Sequence, residues 1–122
     1  MPAFLQVIIG GALGAVSRYG LGQLFPVHGG MSFPWPTFFV NLAGCLLIGL
    51  AMGSASANAV MRQYWPLLVI GFLGGFTTFS SFGLDTIQLL QNKQWGLTVY
   101  YVLGTNIAGL LLVYVGYQLT QL

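Results

Sequence analysis

The chain is expected to be an all-α membrane protein with four transmembrane helices, the third of them broken near its middle. Three observations carry that expectation. Of its 122 residues, 57% are hydrophobic and 3% charged, with a mean hydropathy of +0.85, whereas soluble domains carry about 25% charged residues. Polar and turn-forming stretches divide the apolar sequence into four pieces, each close to the about 20 residues that cross a hydrocarbon core as a helix. The third piece contains Gly74-Gly75-Phe76-Thr77-Thr78-Phe79-Ser80-Ser81-Phe82. Paired glycines and paired threonines weaken a helix, and backbone released from helical bonding survives at membrane depth only where protein buries it or it lines a cavity.

The first span is placed near Pro2 to Phe25. No basic region precedes it and no persuasive cleavage site appears through Arg18-Tyr19-Gly20, so it reads as a retained helix and not a signal peptide. The other spans are placed near Trp35 to Ala57, Tyr64 to Leu90 and Trp95 to Leu119, which makes residues 1–122 one four-helix transmembrane unit. The separators are Pro26-Val27-His28-Gly29-Gly30 through Pro34, Ser54 to Gln63, and Gln91-Asn92-Lys93-Gln94, all rich in turn formers or polar side chains. Trp35, Tyr64, Trp65 and Trp95 stand at span starts, where amphipathic rings anchor at the membrane interface. Glycines recur four apart as Gly10 and Gly14, Gly49 and Gly53, and Gly71 and Gly75, a spacing that lets helix backbones pack closely.

The full charges are Arg18, Arg62, Asp85 and Lys93. Four charges cannot build a surface for nucleic acid or acidic lipid. Cys45 is alone and forms no intrachain disulfide. His28 and Cys45 are isolated and no carboxylate pair exists for acid–base work, which argues against an enzyme. Arg62 and Lys93 fall in successive loops, so the basic residues that normally orient a membrane protein are nearly balanced. A short chain that inserts either way up can pair with its own inverted copy as an antiparallel homodimer, an arrangement that places a site at the bilayer midplane.

Polar groups inside the spans carry the functional signal. Asn41 lies in the second span, Thr105 and Asn106 in the middle of the fourth, and hydroxyls cluster from Thr77 to Ser81 in the third. A buried carboxamide requires partners; one alone is explained by a bond between helices, whereas two together with the hydroxyl cluster point to a polar path. Arg18 either snorkels to the interface or faces a cavity. Asp85, the one acid, calls for a partner or a wet surface, and Arg18 is one candidate partner. Uncharged N–H and O–H donors suit a small anion. Phe79 and Phe82, three apart on one helix, either add the positive edges of their rings or are packing residues. No acid lies in the first, second or fourth span, which argues against a cation or proton exchanger. A small multidrug exporter would carry a Glu in its first span, and a purely structural subunit would have no use for a broken helix.

In order along the chain, Gly10-Gly11-x-x-Gly14-Ala15-x-x-Arg18-Tyr19, then Asn41 with Gly44 and Gly49, then Gly71-Phe72-x-Gly74-Gly75-Phe76-Thr77-Thr78-Phe79-Ser80-Ser81-Phe82 resemble the Fluc fluoride channels, also called the CrcB family. The resemblance spans the whole chain. It implies a dual-topology, antiparallel homodimer in the cell inner (plasma) membrane, with two antiparallel pores that pass fluoride passively out of the cell. By position it implies pore roles for Asn41, Phe79, Phe82, Ser80, Ser81 and Asn106, and a vestibule role for Arg18. It further implies that the third helix is broken from Gly74 to Thr78 and that main-chain carbonyls of Gly74 and Thr77 from both subunits hold a structural Na⁺ between them. Asp85 matches the acid that follows the phenylalanine motif. The chain departs from the family pattern at Pro36, where members often have Gly, at Gly83, where Ser commonly follows, and at Leu110, where many carry a Ser on the fourth helix.

Overall fold

The computed structural model describes residues 1–26 and 32–122; positions 27–31 of the first separator, His28 among them, lie outside the described residues. The first span is α1, Ala3–Gly22, and the second is α2, Trp35–Ala55. A short helix α3, Ala59–Gln63, follows. The third span is composite: a π-helical segment Pro66–Leu73, one further turn α4, Gly74–Phe76, and then α5, Phe79–Gln91. The last span is α6, Trp95–Leu119. Four of these stretches are long and apolar enough to cross a membrane, counting Pro66–Gln91 as one. The chain is thus a multi-pass membrane protein.

Local chemistry sets the ends of the second span. α2 stops at Ala55, not at the expected Ala57, because Asn58 begins a new helix: its Oδ1 accepts from the N–H groups of Val60 at 2.9 Å and Met61 at 3.1 Å, an N-cap that satisfies donors otherwise left open. The Arg62 guanidinium turns back and donates to the carbonyls of Ala55 and Ser56. A cation at the end of α2 suits the negative end of the helix dipole. The Gln91–Gln94 separator closes α5 in a similar way. Lys93 takes a positive φ of 58°, and Lys93 N–H and Gln94 N–H bond to Leu90 O and Leu89 O, the arrangement by which a left-handed residue ends a helix.

The bundle consists of two close pairs, each with its helices running the same way. α1 lies along the π-helical segment and α4, while α2 lies along α6. Glycine makes both pairs possible. A Cβ on Gly10 would stand 2.1 Å from Leu67 O, one on Gly14 2.1 Å from Phe72 O, and one on Gly75 2.6 Å from Gly11 O. In the other pair, a Cβ on Gly49 would stand 2.2 Å from Val113 O and one on Gly116 2.5 Å from Leu46 O. Lipid tails are as apolar as leucine, so helices associate in a membrane through close contact and not through escape from water. Large apolar residues accordingly stay outside: Ile8, Leu13, Val16, Ile107 and Leu111 are all exposed.

The two pairs meet around the third span. Phe82, Leu89 and Tyr101 form a buried cluster with Phe33 and Phe38 against it, joining α5 to α6 and α2. Its rings pack edge to face or tilted, with Phe33 and Tyr101 centroids 5.4 Å apart and Phe82 and Tyr101 centroids 4.9 Å apart. A second cluster of Ala51, Val69 and Leu73 joins α2 to the π-helical segment.

The glycine contacts define a measurable contrast. Gly14→Ala pushes a methyl into the Phe72 carbonyl and is expected to destabilise the protein by about 1–3 kcal/mol, as overpacking does. Gly20→Ala, where a Cβ meets nothing within 4 Å, is expected to be neutral or to stabilise by up to about 1 kcal/mol through higher helix propensity. Thermal unfolding of the two variants in detergent checks both directions.

Candidate functional site: a clamped helix break and its two cavities

The third span is interrupted at two residues. Thr77 has φ −88° and ψ 159°, and Thr78 has φ −154° and ψ 119°, both extended. The break is narrower than the expected Gly74 to Thr78, since Gly74, Gly75 and Phe76 remain helical as α4. Close packing accounts for Gly75, which has room against α1 only because it lacks a side chain.

Asn41 of α2 takes over the bonding that the helix loses. The Thr78 N–H donates to Asn41 Oδ1 at 2.8 Å, and Asn41 Nδ2 donates to Thr78 O at 3.0 Å. A single carboxamide thus serves both backbone groups of one extended residue. Asn41 therefore holds the break, and one Nδ2 hydrogen is left over. Thr78 in turn starts the next helix: its Oγ1 accepts from Ser81 N–H at 3.0 Å and lies 3.1 Å from Ser80 Oγ. On the other side, Thr77 Oγ1 donates to Leu73 O at 2.8 Å and Thr77 N–H donates to the same carbonyl at 3.0 Å.

These bonds release main-chain oxygens. In an unbroken helix the Thr78 N–H would serve Gly74 O and the Ser81 N–H would serve Thr77 O. Both donors are engaged elsewhere. The carbonyl of Gly75, abandoned in the same way, receives Arg18 Nε at 3.2 Å. Arg18 thus places its charge where α4 ends, at the negative end of the helix dipole.

Two cavities flank the break. The first, about 460 Å³, is lined by Arg18, Tyr19, Gln23, Thr37, Ser81, Asp85 and Gln88 among others. The second, about 430 Å³ and open on one side, is lined by Asn41, Gly74, Thr77, Phe79, Phe82, Thr105 and Asn106 among others. Thr78 borders both. The site residues expected from sequence therefore separate into two groups. Arg18 and Ser81 face the first cavity; Asn41, Phe79, Phe82, Asn106, Gly74 and Thr77 face the second; Ser80 is exposed beside Thr78. Phe79 is 83% exposed while Phe82 is only 9% exposed, with ring centroids 5.6 Å apart. Asn106 is exposed and its Nδ2 donates to Val102 O of its own helix at 2.8 Å.

Asp85 finds a partner other than Arg18, the one candidate the sequence offered. Tyr101 Oη donates to Asp85 Oδ2 at 3.0 Å, and Thr37 lines the same cavity as Asp85. The Arg18 guanidinium is instead bonded to Gly75 O. Sequence reasoning missed Tyr101 and Thr37. Tyr101 is fully buried, but its neighbour Tyr100 is 72% exposed, and nothing local to the pair says which of them turns inward. Thr78 and Thr105 were seen only as members of polar stretches. Thr105 Oγ1 is buried with no hydrogen-bond partner on the wall of the second cavity.

A family described as CrcB-like protein, Camphor Resistance (CrcB), matches residues 5–117. A protein of Helicobacter acinonychis named fluoride-specific ion channel FluC is 50% identical over 121 residues, covering 97% of this chain and 94% of that one. Proteins of the same name from Thermus thermophilus, 44% identical over 98% of this chain and 95% of its own length, and from Helicobacter pylori, 47% identical over 97% and 92%, are similar throughout. The match runs through all four spans and both cavities: the chain belongs to the CrcB family.

Proposed function

We propose that the chain is a fluoride-specific ion channel, working as an antiparallel homodimer of single four-helix units with two pores and a structural Na⁺ between the subunits. The observation that carries this reading is the open cavity beside the break, where uncharged hydrogen-bond donors and two phenyl rings are held in place by the Asn41–Thr78 clamp. Relatives that match nearly end to end and bear the name of fluoride channels support it.

A fluoride ion entering a membrane must exchange water for other donors. The Arg18 charge lies on the first cavity and attracts an anion to it. Beyond Thr78, the donors are the remaining Asn41 N–H, the Ser80 hydroxyl, and the N–H groups of Phe79 and Ser80. These N–H groups are the first in α5 and so have no helical acceptor, and a helix N-terminus favours negative charge. The edges of Phe79 and Phe82 add weak positive potential. None of these donors carries a full charge, so the ion is held without being trapped. Ser81 borders the approach and Asn106 the far wall.

Two features favour a second copy. Phe79, which lines the second cavity, is 83% exposed, so a single subunit leaves this wall of the path uncovered. Arg62 and Lys93, in successive loops, give the chain little preference for one orientation. Dual insertion would supply an inverted partner for every subunit.

The released carbonyls fit a hard cation. Gly74 and Thr77 each contribute one neutral oxygen, and an inverted copy would contribute two more. Hard cations take oxygen ligands, and among the described residues no cluster of three His, Cys, Asp or Glu side chains competes for one. A Na⁺ held there would offset repulsion among the oxygens, join the subunits and place fixed positive charge near both paths.

The direct test is efflux from liposomes containing the purified protein: fluoride is released and chloride is retained. Comparable release of both halides, or of neither, defeats the reading. Asn41→Asp keeps an acceptor for Thr78 N–H but removes the donor and adds a negative charge to the path; flux is expected to fall at least about a hundredfold, in line with the loss of a preorganised donor. Phe79→Ile removes a ring that is mostly exposed, so flux is expected to fall while the melting temperature stays near that of the parent. Unchanged flux in this variant would make Phe79 a packing residue.

A further inference from the structure

We propose that Gly44 is a positioning residue for the pathway: the space left by its missing side chain seats the Thr77 methyl and so sets the direction of the Thr77 carbonyl. A Cβ at position 44 would fall 2.1 Å from Thr77 Cγ2 and 3.6 Å from Thr77 Cβ, with nothing else within 4 Å. The contact differs from those of Gly10, Gly14, Gly49 and Gly116, which face the backbone of a neighbouring helix. Gly44 faces one side chain only, and that side chain belongs to the break.

Thr77 cannot turn aside freely. Its Oγ1 donates to Leu73 O at 2.8 Å, and a β-branched residue has few χ1 choices. Rotation that clears the methyl from Gly44 would give up that bond, and a half-buried hydroxyl at membrane depth loses a partner that lipid does not replace. The remaining response is movement of the backbone, which carries the Thr77 carbonyl. Gly44 also lies three residues after Asn41, on the same face of α2. One face of α2 therefore holds both residues of the break: Thr78 by two hydrogen bonds and Thr77 by a fitted methyl. The consequence for ion binding rests on the reading, given above, that the Thr77 carbonyl is a Na⁺ ligand.

The test is a compensation experiment with Gly44→Ala, Thr77→Ser and the double variant Gly44→Ala/Thr77→Ser. Serine keeps the hydroxyl that bonds Leu73 O and removes the methyl that alanine at 44 would strike. Two quantities are measured on purified protein: fluoride efflux from liposomes, and the Na⁺ concentration that half-protects against thermal unfolding in detergent. Thr77→Ser leaves the seat on Gly44 empty and is expected to loosen the carbonyl, raising the Na⁺ requirement about threefold, between the parent and Gly44→Ala. Gly44→Ala is expected to pass fluoride about tenfold more slowly and to need about tenfold more Na⁺, the range of one misplaced methyl. The double variant is expected to return to within about twofold of the parent on both measures, as coupled neighbours do.

Parent-like behaviour of Gly44→Ala overturns the proposal, and so does a double variant as impaired as Gly44→Ala alone. A lower melting temperature with unchanged Na⁺ dependence would reduce Gly44 to a packing role and also overturn it. If Gly44→Ala does not fold, a folded double variant with parental Na⁺ dependence supports the proposal and an unfolded one overturns it. A parent protein showing neither fluoride flux nor Na⁺ protection would defeat the channel reading instead; the fit between Gly44 and Thr77 is then decided by whether Thr77→Ser restores the melting temperature that Gly44→Ala lowers.

Discussion

The pair of hydrogen bonds between Asn41 and Thr78 is the interaction on which the rest of the arrangement depends. An extended residue inside a membrane-spanning helix exposes an N–H and a C=O that lipid cannot satisfy, at a cost of several kcal/mol. Only a side chain with a donor and an acceptor at the right separation repairs both, and the carboxamide of Asn41 does so at 2.8 and 3.0 Å. Aspartate would lose the donor and leucine both. With Thr78 held extended, its hydroxyl is free to cap α5, and the carbonyls of Gly74, Gly75 and Thr77 lose their helical donors. One contact between α2 and the third span thus creates a helix N-terminus, carbonyls released from the helical ladder, of which Gly75 O is taken up by Arg18, and the wall between two cavities.

That contact in turn requires helices to approach closely, and glycine provides for it. α1 reaches the π-helical segment and α4 through Gly10, Gly14, Gly71 and Gly75; α2 reaches α6 through Gly49 and Gly116. Side chains at these positions would separate the pairs and withdraw the groups that meet at the break. The charged residues follow the same economy. Arg18 serves Gly75 O, Arg62 serves the end of α2, and Asp85 is bonded to Tyr101. In a chain with so few charges, these three are bound to fixed partners within the fold and do not stand as bare surface charges.

Much of this was legible in the residues. Hydropathy and turn chemistry placed four spans, and the glycine and threonine pairs marked the third as broken. Family resemblance over the same motif pointed to Asn41, Phe79 and Phe82, which the structure brings to one cavity. What was missed has a common cause. The break covers Thr77 and Thr78 and not the whole run from Gly74, because glycine lowers helix propensity without forbidding helix and Gly75 is used for packing. Asp85 pairs with Tyr101 and not with Arg18, because partner choice depends on which helix faces lie together. Tyr100 and Tyr101 are adjacent and identical in type, yet only one is buried.

The sequence by itself determined the class of the protein, the number and approximate limits of its spans, the weak point in the third and the family to which it belongs. Each is a local or additive property: transfer of side chains to lipid, intrinsic helix preference, and the order of a motif along the chain. Tertiary structure alone decided where the helix opens, which carboxamide closes the gap, which carbonyls are released and which hydroxyls face each cavity. Those outcomes turn on distances of about 3 Å between groups such as Asn41 and Thr78, on different helices, and hydrogen bonds weaken steeply once that geometry is lost. No local pattern encodes a separation of that kind; it is set by how closely the helices carrying the two groups can approach.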